Sequence, residues 1–410
     1  MKESGKIDIV VRWAIMFFMV IALIVPAVTT KETTYPTAGY YPRFILNNFF
    51  AAVVSILLLV KICFYQEFKN NFLIGVAVLI ILGGLYSFFY FQNIDNIGTS
   101  WHGWNVMTSL FFLILLMFTD TREIFGEKFL IRFIIIAIIF SSILAIVVYN
   151  SGFISMRMEN FHLVFKSVKE SIFNEKRFNW IYFHKSEYSC VLLLFVGFFA
   201  RFKKYFGSIF LYIAGQIILF VCLIIAHTNT AIACAIGVLL MDMLDYIFKN
   251  RKKIILKLGI LSAAGIGIAV TFFKYVAKER DFSSLGSRLP IWKASIATIK
   301  KFPKGIGNHF STWEYDYWVK LPIGSQVNNC HNIFLNEMYR FSIPVGWCYT
   351  AMFFWIFLYS IVKKFSFLSL GIWMAFFVVV SMDYTIQTTT LSLVFFMFYC
   401  IFFYEPKIEV

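Results

Sequence analysis

The sequence predicts an all-α, polytopic membrane protein with about twelve spanning helices, and three observations carry that prediction. Sixty per cent of the 410 residues are hydrophobic and only 14% are charged, whereas soluble domains are roughly half apolar and a quarter charged. Apolar runs of about 16 to 23 residues, enough helix to cross a ~30 Å hydrocarbon core, recur from end to end. Lys and Arg of the short connections gather on alternate turns of the chain, as they do on the cytoplasmic side of membrane proteins.

The runs are residues 10–28, 44–64, 72–91, 104–119, 129–149, 178–200, 208–225, 229–247, 254–273, 344–362, 367–382 and 388–404. The first follows Lys2, Lys6 and Arg12 and meets no small-residue cleavage site, so it reads as a retained helix rather than a leader. Lys61 and Lys69, Arg122 and Lys128, Arg201 with Lys203 and Lys204, Lys249 to Lys257, and Lys363 with Lys364 share one side. Connections 92–103, 226–228 and 383–387 hold neither Lys nor Arg. Both termini are therefore expected in the cytoplasm, and the two long loops, 150–177 and 274–343, on the outer face. No internal repeat or long linker divides the chain, so residues 1–410 read as a single membrane domain whose outer loops contain short amphipathic helices.

Loop 274–343 is the most informative stretch. It carries ten Lys and Arg against five Asp and Glu, a surplus suited to anionic headgroups or a phosphate-bearing lipid. The formal charge of +15 is thus shared between inner anchors and outer loops, and nucleic acid is not an expected partner. Leu285, Leu289, Trp292, Ile296 and Ile299 recur at spacings of 4, 3, 4 and 3, an apolar helical stripe with Ser287 as N-cap and Pro290 in the first turn. Lys293, Lys300 and Lys301 are expected to face water or headgroups. Pro303 ends this helix, and Gly305 and Gly307 allow a tight return. A second helix, from about Asn329 to Phe341, is expected to turn Phe334, Leu335, Met338 and Phe341 inward and to hold His331 in its first turn. Pro344 opens the tenth span.

All six His, at 102, 162, 184, 227, 309 and 331, fall in outer loops or near the outer ends of spans, which points to an outer-face site. None has metal-ligand spacing, so no metal cluster is expected. His331 is the candidate base, because imidazole titrates near working pH. Its neighbour Cys330 points about 100° away on a helix and cannot form a thiol–imidazole dyad; the six other Cys lie in spans, so no disulfide framework is implied. No phosphate loop and no nucleophile elbow is present. If the sixth span begins near Phe178, His184, Lys185 and Glu187 lie in its outer third, where ionisable groups are functional candidates. Asp242 and Asp245 are expected to pair with Lys249.

Four segments together resemble the O-antigen ligase and polymerase family, whose members handle polyprenyl-pyrophosphate-linked glycans. Arg177-Phe178 with His184 resembles the segment that leads into a span. Ser287-Arg288 with Trp292 resembles S-R-x-x-x-W, Pro303-Lys-Gly305-Ile-Gly307 resembles P-x-G-x-G, and His331-Asn332 with Pro344-Val-Gly346 resembles H-N-x-x-L…G-x-x-G. Two departures stand out: Lys185-Ser186 replaces Pro-Asn after His184, and Thr228-Asn229-Thr230 stands where the family often has S-R-T. The resemblance implies a GT-C-like bundle in the bacterial cytoplasmic membrane. It also implies metal-independent, cofactor-free glycosyl transfer on the outer face. Arg177 and Arg288 would grip the pyrophosphate and His331 would deprotonate the acceptor hydroxyl. His184, Lys185, Asn229, Trp292 and Asn332 would bind substrate, with Tyr315, Trp313 and Trp318 as further faces for sugar rings. The implied partners are a polyprenyl-linked glycan donor, a glycan or lipid acceptor, membrane lipids and other polysaccharide-assembly proteins. A polymerase of capsule-like or O-antigen-like polysaccharide is the favoured reading, a ligase of finished glycan or teichoic acid the alternative, and a flippase less suited, since no paired halves are visible.

Overall fold

The computed structural model describes residues 3–26, 28–29, 41–93, 101–126, 128–159, 162–167, 178–182, 184–249, 288–306, 330–382 and 390–405. The helices are α1 (Glu3–Ile24), α2 (Tyr41–Tyr65), α3 (Leu73–Gln92), α4 (Trp101–Phe118), α5 (Arg122–Gly126), α6 (Lys128–Asn150), α7 (Lys185–Arg201), α8 (Ile209–Ile225), α9 (Asn229–Lys249), α10 (Arg288–Lys301), α11 (Ile333–Phe341), α12 (Ile343–Lys363), α13 (Phe367–Met382) and α14 (Leu391–Phe398), the last continued by a π-turn over Tyr399–Phe403. Strands β1 (Val28–Thr29), β2 (Phe153–Glu159) and β3 (His162–Ser167) complete the list. Each expected span except the ninth overlaps one of these helices at least in part; residues 254–273 are outside the described residues. Six helices are long and apolar enough to cross a membrane, and four shorter ones are apolar, so this is a multi-pass membrane protein.

The chain forms two compact units. The first comprises Met1–Ile80, Trp104–Ile232 and Thr385–Val410. In it α1 packs along α2 and α6, and α14 is sunk among aromatic rings, Phe396 lying 5.7 Å from Phe18 and 6.1 Å from Phe112. Polar contacts inside the bundle include Ser109 Oγ, which lies 2.8 Å from Ser392 Oγ. Lys61, fully buried in α2, reaches Asp8 and lies 2.9 Å from Glu67 Oε2.

Two expectations change in this unit. The described part of loop 150–177 is a β-hairpin rather than a helix, with β3 antiparallel to β2 and β1 parallel on its other side. The alternation of Ser155, Arg157 and Glu159 with Ile154, Met156 and Met158 is the period-2 signature of a strand. Helix α7, which carries the sixth expected span, begins at Lys185, seven residues later than Phe178. Residues 178–182 instead run beside the hairpin: Asn179 N–H donates to Ile154 O at 3.0 Å and Met156 N–H to Trp180 O at 2.9 Å. Trp180 takes a left-handed φ of 53° and buries its indole, whose Nε1–H donates to Ser141 Oγ at 3.1 Å. Apolar burial here belongs to a packed connection, which hydropathy alone reads as helix.

The second unit comprises Ile81–Gly103 and Ala233–Tyr384. Its centre is the short helix α11, held between α10 and α12. Gly346 of α12 lies so near that a Cβ there would fall 2.7 Å from Met338 N. Gly305 has φ +79°, and its Cβ would fall 2.6 Å from Arg340 O. Around this return Ile306 N–H donates to Tyr339 O at 3.0 Å and Ile343 N–H to Pro303 O at 3.1 Å. The glycines of both motifs therefore serve close backbone approach, as only a residue without Cβ allows.

Two further expectations are corrected here. The buried face of α10 is Ile291, Ser295, Thr298 and Ile299, while Ile296 of the apolar stripe is exposed. Lipid tolerates apolar side chains on the outside, so the stripe need not mark the packed face. Helix α11 buries Asn336 and Glu337 along with Ile333, Tyr339 and Phe341, leaving Phe334, Leu335 and Met338 half-buried. Asp245 accepts the backbone N–H groups of Phe367 and Leu368 at 2.7 and 3.2 Å; the side chain of Lys249, its expected partner, lies outside the described residues. Asp245 thereby satisfies orphan donors at the start of α13.

Candidate functional site

In the second unit the sequence motifs converge on the C-terminal end of α13. Arg288 is the first residue of α10, and its Nε–H donates to Met382 O at 2.8 Å. Asn332 caps α11: its Oδ1 accepts from Phe334 N and Leu335 N, both at 3.0 Å, while its Nδ2–H donates to Ser381 O at 3.3 Å. The last carbonyls of a helix are unpaired and carry partial negative charge. Here two adjacent ones orient a guanidinium and an amide from different helices.

His331 precedes the cap and lies outside the first turn of α11. Its φ is +46°, a left-handed conformation that costs a non-glycine residue of order 1–2 kcal/mol, and its side chain is half-exposed. Strain of this kind gathers where a side chain must be aimed. Cys330 beside it points the other way, into the cluster of Ile291, Ile299 and Tyr339. Burial pushes its thiol up to about 12, against the lowering influence of Ser295 and Arg340, so it is neither nucleophile nor base at neutral pH. Trp292 is half-buried against the same cluster, and its Nε1–H is buried without a partner among the described residues.

The other expected substrate residues lie in the first unit. His184 is the N-cap of α7, its Nδ1 accepting from Ser186 N at 3.2 Å, so an imidazole does here what a Ser or Asp usually does. Lys185 follows, half-buried, at the first helical position. Asn229 opens α9. It is tied to the same helix end through Thr228, whose Oγ1 lies 2.5 Å from Ser189 Oγ, which in turn donates to Lys185 O at 2.8 Å. Thus His184, Lys185 and Asn229 share one end of one unit, and Arg288, His331, Asn332 and Trp292 share a site in the other. Arg177, Ser287, Gly307, His309, Trp313, Tyr315 and Trp318 lie outside the described residues. Among the described residues no group of three His, Cys, Asp or Glu is placed to hold a metal.

Sequence reasoning missed a buried pair in the second unit. His102 Nε2 lies 2.8 Å from Glu337 Oε1, with both side chains less than a tenth exposed. In the sequence the acid counts only toward the loop's charge balance. An Asn-Glu step inside an otherwise apolar helix of nine residues was the available signal.

Residues 214–341 match the family model described as O-antigen ligase. The matched stretch holds Asn229, Arg288, Trp292, His331 and Asn332 and stops short of His184 and Lys185. It bears out the resemblance carried by the motifs. No curated protein matches the chain.

Proposed function

We propose that this multi-pass membrane protein, which carries an O-antigen ligase segment at residues 214–341, transfers glycan from a polyprenyl pyrophosphate. The supporting observation is that Arg288 and Asn332, the neighbour of His331, both donate to carbonyls at the end of α13. Arg288 presents a planar, permanently charged fork suited to a pyrophosphate. His331 is aimed by a strained backbone and can take a proton. In the reaction the acceptor hydroxyl oxygen bonds to the anomeric carbon of the donor sugar. The bond from that carbon to the phosphate oxygen breaks, its electron pair leaves on polyprenyl pyrophosphate, and His331 keeps the hydroxyl proton. Inversion follows from a single displacement. Arg288 would supply the charge stabilisation such a leaving group needs.

Within this reading the chain is a polymerase of surface polysaccharide, working on the outer face of the bacterial cytoplasmic membrane with both termini inside. The charge pattern of the short connections supports the orientation, and the Arg177 to His184 segment supports polymerase over ligase. The test is to incubate purified protein with a polyprenyl-pyrophosphate-linked repeat unit from its source cells, beside a His331→Ala control. A product ladder lost in the control supports polymerisation. A single product that requires an added lipid acceptor would make it a ligase, and no transfer by folded protein would overturn the reading.

A further inference from the structure

Helix α11, which presents His331 and Asn332 at its start, is clamped from three sides. Gly346 presses on Met338 and the Gly305 return presses on Arg340, both by backbone contact that no proton can alter. The third clamp is polar: His102 Nε2 lies 2.8 Å from Glu337 Oε1, a close ion contact that falls short of hydrogen-bond geometry. Imidazole and carboxylate are 8% and 2% exposed, and the ring stacks on Phe341 at 4.8 Å, 13° from parallel. Glu337 Oε2 is buried and finds no hydrogen-bond partner among the described residues.

A carboxylate in such surroundings is strongly disfavoured alone and tolerable only beside a partner that shares its proton. The neighbouring groups cannot replace His102. Tyr86 lies near Glu337 and is itself flanked by Tyr90, Tyr349 and Cys348, none of which carries a basic group. Arg340, the nearest cation on α11, lies over the Phe341 ring at 5.3 Å. Gly103 permits the approach: a Cβ there would collide with the Tyr90 ring, so the backbone beside His102 is seated tightly in this wall.

We infer that His102 and Glu337 are positioning residues for the transfer, a buried acid–base pair in close contact that holds α11 in the register at which Asn332, beside His331, ties to the end of α13 that Arg288 also reaches. The inference rests on the glycosyl-transfer reading above. Glu337 lies five residues beyond the Asn332 cap, so its register is transmitted along little more than one turn.

The test uses the full-length protein in proteoliposomes, with the polyprenyl-pyrophosphate-linked repeat unit extracted from its source cells, and follows kcat. His102→Ala, which leaves the buried Glu337 carboxylate without its contact, is expected to lower kcat at least tenfold. The double variant His102→Gln with Glu337→Gln replaces the pair by two neutral amides of similar reach. It should return kcat to within about threefold of the parent, a rescue that loss of packing alone would not give. Folded His102→Ala with parental kcat would overturn the inference. A folded double variant without activity overturns it too, since the pair would then take part in the chemistry. Failure of the unmodified protein to transfer sinks the underlying reading instead.

Discussion

The Nε–H of Arg288 donates to the carbonyl of Met382 at 2.8 Å, so the guanidinium that begins α10 is oriented by the last residue of α13. Arginine can make this bond through Nε and still present its two terminal nitrogens in a plane; lysine has one nitrogen on a flexible stem. Arg288→Lys therefore keeps the charge and loses the orientation. Removing one preorganised donor at a developing negative charge typically costs about 10²–10³ in rate. We expect kcat/KM of glycan transfer to fall about 100-fold in Arg288→Lys and no further than about tenfold beyond that in Arg288→Ala. A lysine variant at parental rate would exclude a directional role.

Asn332 has two separable tasks. Its Oδ1 caps α11 and its Nδ2–H holds Ser381 O. Asn332→Asp keeps the cap and loses the donor, setting a carboxylate against a helix carbonyl, whereas Asn332→Ala loses both. Cap loss costs about 1 kcal/mol. Thermal unfolding in detergent should separate the variants in that order, the Asn332→Asp protein above the Asn332→Ala protein, while both lose transfer activity. Parental activity in Asn332→Asp would mean that the tie to α13 has no part in the reaction.

The sequence made the spans legible because a ~30 Å apolar slab demands long hydrophobic helices, and Pro344 and Ser342 mark the start of α12 as they should. Its motifs also singled out Arg288 and Asn332, which meet adjacent carbonyls at the end of α13. It misled where hydropathy stops distinguishing core from surface. Ile296 faces outward although Leu289, Trp292 and Ile299 share its periodicity, and Phe178, Trp180 and Ile181 are buried without being helical. The His102 and Glu337 pair stayed hidden for another reason. The two residues are far apart in sequence, and neither spacing nor periodicity brings distant partners together.

Cys330 offers a check on the packing of α10 against α11. Its thiol is fully buried and raised to about 12 from 9.0 by that burial. At neutral pH it should resist a maleimide for hours in folded protein and react within minutes after denaturation, with the modified peptide read by mass spectrometry. Because the folded value is raised, its contribution to stability is complete below about pH 9 and is lost as pH rises toward about 12. Rapid labelling of native protein at Cys330 would contradict its burial in the Ile291, Ile299 and Tyr339 cluster.

Lys61 concentrates the electrostatics of the first unit. It is fully buried, holds Asp8, which is itself 6% exposed, and lies 2.9 Å from Glu67, whose side chain keeps 31% of its exposure. Lys61→Met removes the cation and strands Asp8 in an apolar setting, while Glu67 can still turn to water. Breaking a buried pair from one side typically costs ~3–5 kcal/mol, whereas replacing both partners by apolar groups is often neutral. The Lys61→Met protein should therefore unfold well below the parent, and Lys61→Met combined with Asp8→Leu should recover most of the loss. A double-mutant cycle measured by unfolding in detergent isolates the pair. If the single and double variants are equally unstable, the lysine acts through its stem rather than its charge, and the arrangement of α1 on α2 owes nothing to this ion pair.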